Sequence, residues 1–188
     1  EALAARRAFG ACRGLRCVKS PPAAPGNTQP AGSATLCLTA GCRVFNDGHH
    51  MTGIVLIGGR SRRFGTDKVL AHLRGKALVD HVVDLITPLF DEVILVGNRR
   101  KELQGHRVVE DIYPGCGPLG GIYTGLTAAG TDRCFVFATD MPNLHQGFIG
   151  HMISLAGEHD VVIPCWSRGR EPLHAIYHRR LLPVVKEL

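Results

Sequence analysis

The stretch that decides the fold is GIVLIGGRSRRFGTDK, Gly53–Lys68. Residues 53–57 are apolar apart from one glycine and rich in β-branched side chains, which is typical of a strand buried on both faces. Gly58 and Gly59 follow at once, and a cluster of arginines precedes Lys68. Glycine lets backbone N–H groups approach an anion closely, and cations neutralise its charge. The stretch therefore predicts a strand that leads into a phosphate-binding loop.

This loop differs from the two common nucleotide loops. A Walker loop reads G-x-x-x-x-G-K-[ST], but the spacing from Gly59 to Gly65 is one residue longer, and the residue after Lys68 is Val69. The dinucleotide pattern G-x-G-x-x-G is absent from the stretch. An ordinary turn between a strand and a helix, with solvated arginines, is the alternative that these residues alone leave open.

Charge is unevenly distributed along the 188 residues, whose net charge is +6. Residues 1–50 hold six Lys/Arg against two Asp/Glu, and residues 51–188 hold sixteen against fourteen. The mild charge of the second part argues against a nucleic-acid partner and favours a small polyanion bound by a local cluster. Since no apolar run reaches the ~18 residues that a membrane span needs, we expect no membrane partner either.

Residues 1–50 have the composition of a leader. Ser20–Ser33 is a linker by its proline, glycine and alanine content, and Met51 stands directly before the first clear strand. We predict that residues 1–50 are a disordered or non-native leader and that residues 51–188 form the domain. The cysteine pairs in this leader could ligate zinc, although no knuckle or ribbon pattern surrounds them. The odd total of seven cysteines suits a reducing cytoplasm.

Strands and helices alternate from Met51 onward. This alternation predicts an α/β fold with a mostly parallel sheet covered by helices on both faces. We expect irregular structure over residues 111–121, which hold four glycines and two prolines. The predicted strands cover residues 53–57, 92–98, 107–110, 134–138, 160–164 and 173–178, with brief pairing in 69–73. The predicted helices cover residues 78–89, 99–104, 119–129 and 148–155, and a last one starts at 179.

Polar residues follow three of these strands. Gly58, Asn98 and Asp140 come at strand carboxyl ends, where open α/β sheets bind ligands. Asp140 follows a fully apolar strand and is either a helix N-cap or a Mg²⁺ ligand. Asp111 either starts a turn or holds a nucleotide hydroxyl or amine.

The cations of the basic loop complete the predicted site. Lys68 could reach a β- or γ-phosphate, and among the loop arginines we favour Arg63 as a phosphate contact. No Ser–His–Asp or Cys–His arrangement is evident, and His174 lies in a strand where a structural role is as plausible as a ligand contact. Phosphate-binding loops, one lysine and one carboxylate suit nucleotidyl transfer, which depends on positioning and charge neutralisation. An attacking phosphate is already ionised and needs no general base.

Five stretches together resemble the molybdenum cofactor guanylyltransferases, within the wider MobA-like NTP transferases. They are Leu56–Lys68, Arg74–Leu78, Glu110–Leu126, Ala138–Pro142 and Glu171–Pro183. The resemblance implies a three-layer Rossmann-like nucleotidyltransferase fold. Two departures stand out, because Phe64 replaces the family's usual methionine and the family normally continues beyond Leu188. We therefore expect the chain to be truncated at its C-terminus.

The resemblance also implies roles for individual residues. The residues implied to bind the nucleotide are Leu56, Ile57, Gly58, Gly59, Lys68, Asn98, Asp111 and Asp140. Lys68, Arg63 and Asp140 would be catalytic, with Asp140 holding Mg²⁺. The residues implied to face the pterin substrate are Gly120, Arg170, Pro172 and His174.

The implied reaction joins GMP from GTP to the phosphate of molybdopterin or molybdenum cofactor and releases pyrophosphate. Molybdoenzymes or chaperones would be the protein partners. Two alternatives stay open: a related transferase that uses CTP or another NTP on a pterin, sugar or alcohol phosphate, and a non-catalytic nucleotide-binding partner in cofactor delivery.

Overall fold

The computed structural model describes residues 14–19, 50–58, 72–73, 75–141, 144–167 and 169–188. The strands in this part of the chain are β1 (Leu15–Lys19), β2 (Met51–Leu56), β3 (His72–Leu73), β4 (Lys76–Ala77), β5 (Glu92–Val96), β6 (Val108–Val109), β7 (Arg133–Ala138), β8 (Val161–Trp166), β9 (Gly169–Arg170) and β10 (His174–His178). The α-helices are α1 (Leu78–Ile86), α2 (Gly117–Ala128), α3 (Gln146–Ser154) and α4 (Leu182–Lys186). None of these helices is long and apolar enough to cross a membrane.

Strand β2 lies in the interior of the main sheet, between β7 and β5. The strand order is β1-β8-β10-β7-β2-β5-β6, with β9 paired to β8 outside this path, while β3 and β4 pair separately. Both neighbours of β2 run parallel to it, and Leu56 pairs with Val96 on β5 and with Ala138 on β7. Every residue of β2 is buried. A strand covered on both faces needs an unbroken apolar run, which explains the sequence pattern at residues 53–57.

Two apolar clusters cover the two faces of the sheet. The cluster on the face of α1 and α3 contains Phe90, Phe135 and Phe137, and Phe90 meets the other two rings edge-on. The cluster on the opposite face contains residues of α2 and, at its margin, of α4. The predicted three-layer, mostly parallel α/β fold is therefore confirmed, with β10 and β9 as antiparallel members of the sheet.

Several element boundaries differ from the predicted ones. Helix α1 ends at Ile86, because Pro88 follows in a separate 3₁₀ turn over Thr87–Leu89. The charged segment predicted as a helix forms only a short 3₁₀ turn, Lys101–Leu103. Helix α2 begins at Gly117, inside the stretch expected to be irregular, since a proline in its first turn is compatible with a helix start.

The predicted disordered leader contains one strand. Leu15–Lys19 pairs in parallel with β8 at the edge of the sheet, and Val18 is buried there. The expectation of disorder is thus wrong for these five residues, because an unpaired strand edge is satisfied by any short extended segment that reaches it. Residues 1–13 and 20–49 lie outside the described part of the chain, and the domain boundary at residue 50 stays a prediction.

Helix α2 packs very closely on β2. A Cβ atom added at Gly125 would lie 2.7 Å from two carbons of Ile54, and one at Gly121 would lie 3.0 Å from Leu56 Cδ2. Since the earlier glycine meets the later strand residue, the helix runs antiparallel to β2. The amino terminus of α2 therefore lies at the carboxyl edge of the sheet.

We expect Gly125→Ala to lower the free energy of unfolding by about 1–3 kcal/mol, because the added methyl overpacks a contact between two buried elements. Gly105→Ala is the matched control, since a Cβ there meets no atom within 4 Å. Urea unfolding followed by circular dichroism measures both variants. Equal midpoints for the two would show that the helix and strand are not in close contact.

Candidate active site at the carboxyl edge

Three predicted site residues lie in one row at the carboxyl edge of the sheet. The register pairs Leu56 with Val96 and with Ala138 on the two neighbouring strands. Gly58, Asn98 and Asp140 each come two residues after one of these paired residues, and all three are exposed. The structure thus brings together what the sequence placed after three separate strands, while the roles of these residues stay predictions.

The ends of β2 and β5 are in direct backbone contact. Ile57 N–H donates to the Val96 carbonyl at 2.9 Å. Gly97 has a φ of +147°, and a Cβ there would lie 2.7 Å from the Gly58 nitrogen. Only glycine combines this backbone angle with such an approach. The side chains of Leu56 and Ile57 are buried, so we expect these residues to contact a nucleotide through backbone atoms. Gly58 is the first exposed residue after β2.

Arg100 is a site residue that the sequence analysis missed. Its Nη1 donates to the carbonyl oxygens of Ile57, at 3.3 Å, and Asn98, at 3.5 Å. The guanidinium therefore joins the ends of two strands beside the Gly58 turn. The signal in the sequence is the run Arg99-Arg100-Lys101 directly after Asn98, at the start of the segment predicted to be a charged helix.

Asp111 holds the loop that enters α2. Its Oδ1 accepts hydrogen bonds from Tyr113 N–H at 3.1 Å and from the Thr124 hydroxyl at 2.9 Å. The same hydroxyl accepts the Ile112 N–H at 2.9 Å. Gly120 is buried beneath this loop, and a Cβ on it would lie 2.8 Å from the Tyr113 carbonyl oxygen. Asp111 and Gly120 thus both shape the loop, and their expected ligand contacts stay predictions.

Thr124→Val should destabilise the fold by about 1–3 kcal/mol, because it removes the hydroxyl that bonds the partly buried Ile112 N–H and the Asp111 carboxylate. Thr124→Ser keeps the hydroxyl and should lose less than half as much. Thermal unfolding of the two variants at neutral pH checks this. If the two substitutions cost the same, the hydroxyl network does not stabilise the loop.

Segment 170–174 lies at the same edge because β10 runs antiparallel to β7. Ala138 N–H donates to the Leu173 carbonyl at 3.1 Å, which fixes the amino end of β10 beside the carboxyl end of β7. The Pro172 carbonyl accepts the Tyr177 hydroxyl at 2.8 Å. Arg170 is exposed on β9, opposite Cys165. Arg170 and Pro172 thus directly precede the end of β10 that lies beside β7, and their expected contacts with an acceptor stay predictions.

His174 is enclosed by aromatic rings. It stacks on Phe148 with ring centroids 5.9 Å apart and meets Phe135 and Phe137 edge-on. It is 8% exposed, and its Nδ1 has no hydrogen-bond partner among the described residues. Burial lowers the pKa of this imidazole to about 4. The expected direct contact with a substrate stays a prediction, and the described contacts of the ring are those of a core residue that supports the edge from beneath.

The neutral His174 should make stability depend on pH. The pKa of His174 in the folded protein is about 4, below the ordinary value of 6.5. Between pH 4 and pH 6.5 the unfolded chain therefore binds a proton at this histidine that the folded protein does not bind. The free energy of unfolding consequently falls as pH drops from 6.5 to 4. His174→Phe removes this contribution and should flatten the slope by up to about 1.4 kcal/mol per pH unit. Urea unfolding at several pH values checks it, with slopes compared rather than absolute stabilities. Parallel curves would mean that the histidine is accessible to protons in the folded state.

Three of the predicted site residues, Gly59, Arg63 and Lys68, lie outside the described residues. Asp140 is the carboxylate available to a metal ion in the row, and the described residues contain no group of three or more His, Cys, Asp or Glu side chains that could hold one.

Comparison with known proteins establishes the family. The MobA-like NTP transferase domain matches residues 53–188, which include Gly58, Asn98 and Asp140. The chain belongs to this family. It is accordingly a nucleotidyltransferase, and the MobA-like domain starts within β2, so β1 lies outside the match.

Individual relatives carry more specific names. The molybdenum cofactor guanylyltransferase of Desulfosudis oleivorans is 39% identical over 140 residues, covering 72% of this chain and 69% of the relative. A probable molybdenum cofactor guanylyltransferase of Natranaerobius thermophilus is 36% identical, covering 73% and 71%. The crystal structure of molybdopterin-guanine dinucleotide biosynthesis protein A from Archaeoglobus fulgidus is 28% identical with a TM-score of 0.62, covering 73% and 72%. The predicted resemblance is therefore confirmed at the level of the family.

Proposed function

We propose that this MobA-like domain transfers GMP from GTP to the terminal phosphate of molybdopterin or molybdenum cofactor. A phosphate oxygen of the acceptor bonds to the α-phosphorus of GTP, the bond from that phosphorus to the bridging oxygen breaks, and pyrophosphate leaves. The names of the relatives support the substrates. The observation that carries the proposal is the row of Gly58, Asn98 and Asp140 on three adjacent parallel strands.

The two sides of the carboxyl edge bind different substrates in this proposal. Asn98 and Asp111 follow β5 and β6, on the side of β2 away from Asp140, and bind the nucleoside. Gly58 presents its backbone to the phosphates, and Gly59, Arg63 and Lys68 complete that phosphate site. Gly120, Arg170, Pro172 and His174 form or support the acceptor pocket.

The chemistry needs placement and charge neutralisation rather than a proton acceptor. A phosphate monoester is largely ionised near neutral pH, so the acceptor attacks without a general base. Phosphoryl chemistry of this kind is accelerated mainly by fixed positive charge and by positioning. Arg100 keeps the ends of β2 and β5 in place beneath the phosphates through its two carbonyl contacts.

Asp140 is the residue that would hold Mg²⁺. Its carboxylate is exposed beyond β7, and an oxygen donor on its own suits a small hard cation that keeps water and phosphate oxygens as ligands. The ion would neutralise charge on the triphosphate. A cytoplasmic location and delivery of the product to molybdoenzymes or chaperones belong to the same proposal, which involves no nucleic acid and no membrane.

Asp140→Asn should lower kcat by at least about 100-fold, because it removes the charge that holds the metal at the reacting phosphates. The assay follows pyrophosphate release and the guanine dinucleotide product with GTP, Mg²⁺ and molybdopterin under anaerobic conditions. Asp132→Asn is the matched control, since this exposed carboxylate precedes the same strand at its opposite end and should leave kcat unchanged.

Three results would contradict parts of the proposal. Full activity of Asp140→Asn would exclude the metal role of that residue. Faster turnover with CTP than with GTP would assign the domain to the related transferases. Nucleotide binding without turnover by the intact protein with any NTP would favour the non-catalytic alternative.

A further inference from the structure

The chain's single tryptophan lies at the acceptor end of the edge. Trp166 is the last residue of β8 and is 54% exposed, more than any other large hydrophobic side chain in the described ranges. Strand β10 is antiparallel to both β7 and β8, so these two are parallel and their carboxyl ends lie at the same edge. Trp166, at the end of β8, and Asp140, just beyond the end of β7, therefore lie at the same edge of the sheet.

The described residues paired with the end of β8 leave the Trp166 side chain uncovered. Trp166 pairs across β8 and β9 with Gly169, which has no side chain, and a Cβ at that position would meet nothing within 4 Å. The next pair, Cys165 with Arg170, faces the opposite side of the hairpin because side chains alternate along a strand. Arg170 therefore does not cover the ring.

The Trp166 side chain lies on the same face of the sheet as two other aromatic residues, His174 and Phe148. Val162 pairs with Ile176 on β10, so these two side chains share a face. Alternation places Trp166 and His174 on that same face, and His174 is stacked there on Phe148. Trp166 therefore lies on the face of the sheet that also carries the rings of His174 and Phe148.

We infer that Trp166 determines acceptor specificity by stacking against the fused heterocycle of the substrate that receives GMP. The inference rests on the proposed function. An exposed indole stacks well on a flat fused ring with a polar edge, since stacking tolerates polar substituents in the ring plane.

Strand spacing separates this role from nucleoside binding. β8 is two strands from β7, or roughly 10 Å, and three strands from β2, while the nucleoside residues follow β5 and β6 on the far side. A compact acceptor with its phosphate near Asp140 can reach Trp166 with its ring. The guanine base lies in the opposite direction.

The first test is kinetic. Trp166→Ala should raise KM for molybdopterin by about 10- to 100-fold, while KM for GTP stays within about twofold and Trp166→Phe retains most of the affinity. Val184→Ala is the control, because Val184 is an exposed apolar residue of α4 that is assigned to neither substrate, and it should leave both KM values unchanged. An unchanged KM for molybdopterin in an active Trp166→Ala variant overturns the inference and leaves the proposed function intact.

The second test needs no turnover. Because the protein has one tryptophan, acrylamide quenching of its fluorescence reports on Trp166 alone. Saturating molybdopterin should lower the quenching slope at least about twofold, and GTP should leave it unchanged. The slope is compared rather than the intensity, since a pterin absorbs the emitted light. If the protein shows no transferase activity, protection by molybdopterin still supports the inference, whereas absence of protection, or protection by GTP alone, overturns it.

Discussion

The hydrogen-bond register of β2 with its two parallel neighbours is the constraint on which the site depends. Leu56 is level with Val96 on one side and Ala138 on the other, so the residues that follow leave the sheet at one height. A slip of one residue in either pairing would turn every side chain of that strand to the opposite face. The burial of β2 on both faces prevents such a slip, because two different apolar clusters must be satisfied at once.

Glycine makes the close approaches that this register requires. Gly97 lets the end of β5 touch the backbone at Gly58, and Gly125 lets α2 pack against Ile54. The contact at Gly97 brings the ends of β2 and β5 close together. The contact at Gly125 holds α2 against β2, with the amino terminus of α2 at the same edge. Both rely on a missing side chain rather than on an attractive group. The site is therefore shaped by backbone geometry, which suits a reaction that needs a fixed triphosphate more than it needs a titrating side chain.

Sequence patterns predicted the parts of the fold that are governed by local periodicity. The runs at residues 53–57 and 134–138 are long, apolar and β-branched or aromatic, and both are central strands. The start of α2 was missed because glycines weaken helix propensity, while here close packing on β2 outweighs that cost. β1 was missed because a short edge strand depends on a partner far away in the sequence. Arg100 was missed because its two carbonyl partners become neighbours only after β2 and β5 pair.

Asp140 separates two halves of the edge that are built differently. On one side of it, β2, β5 and β6 are all parallel, and each contributes a segment at its carboxyl end. On the other side β10 is antiparallel, so it contributes its amino end, with Pro172 and Leu173 bound to Tyr177 and to β7. The reversal of one strand thus changes which kind of segment lines the edge next to the carboxylate. An all-parallel arrangement would place a strand-to-helix loop there, whereas the reversed strand provides a short segment fixed by the Tyr177 hydroxyl and by the backbone of β7. This rigidity is what an acceptor site needs if its phosphate must stay aligned with a nucleotide held by the opposite half.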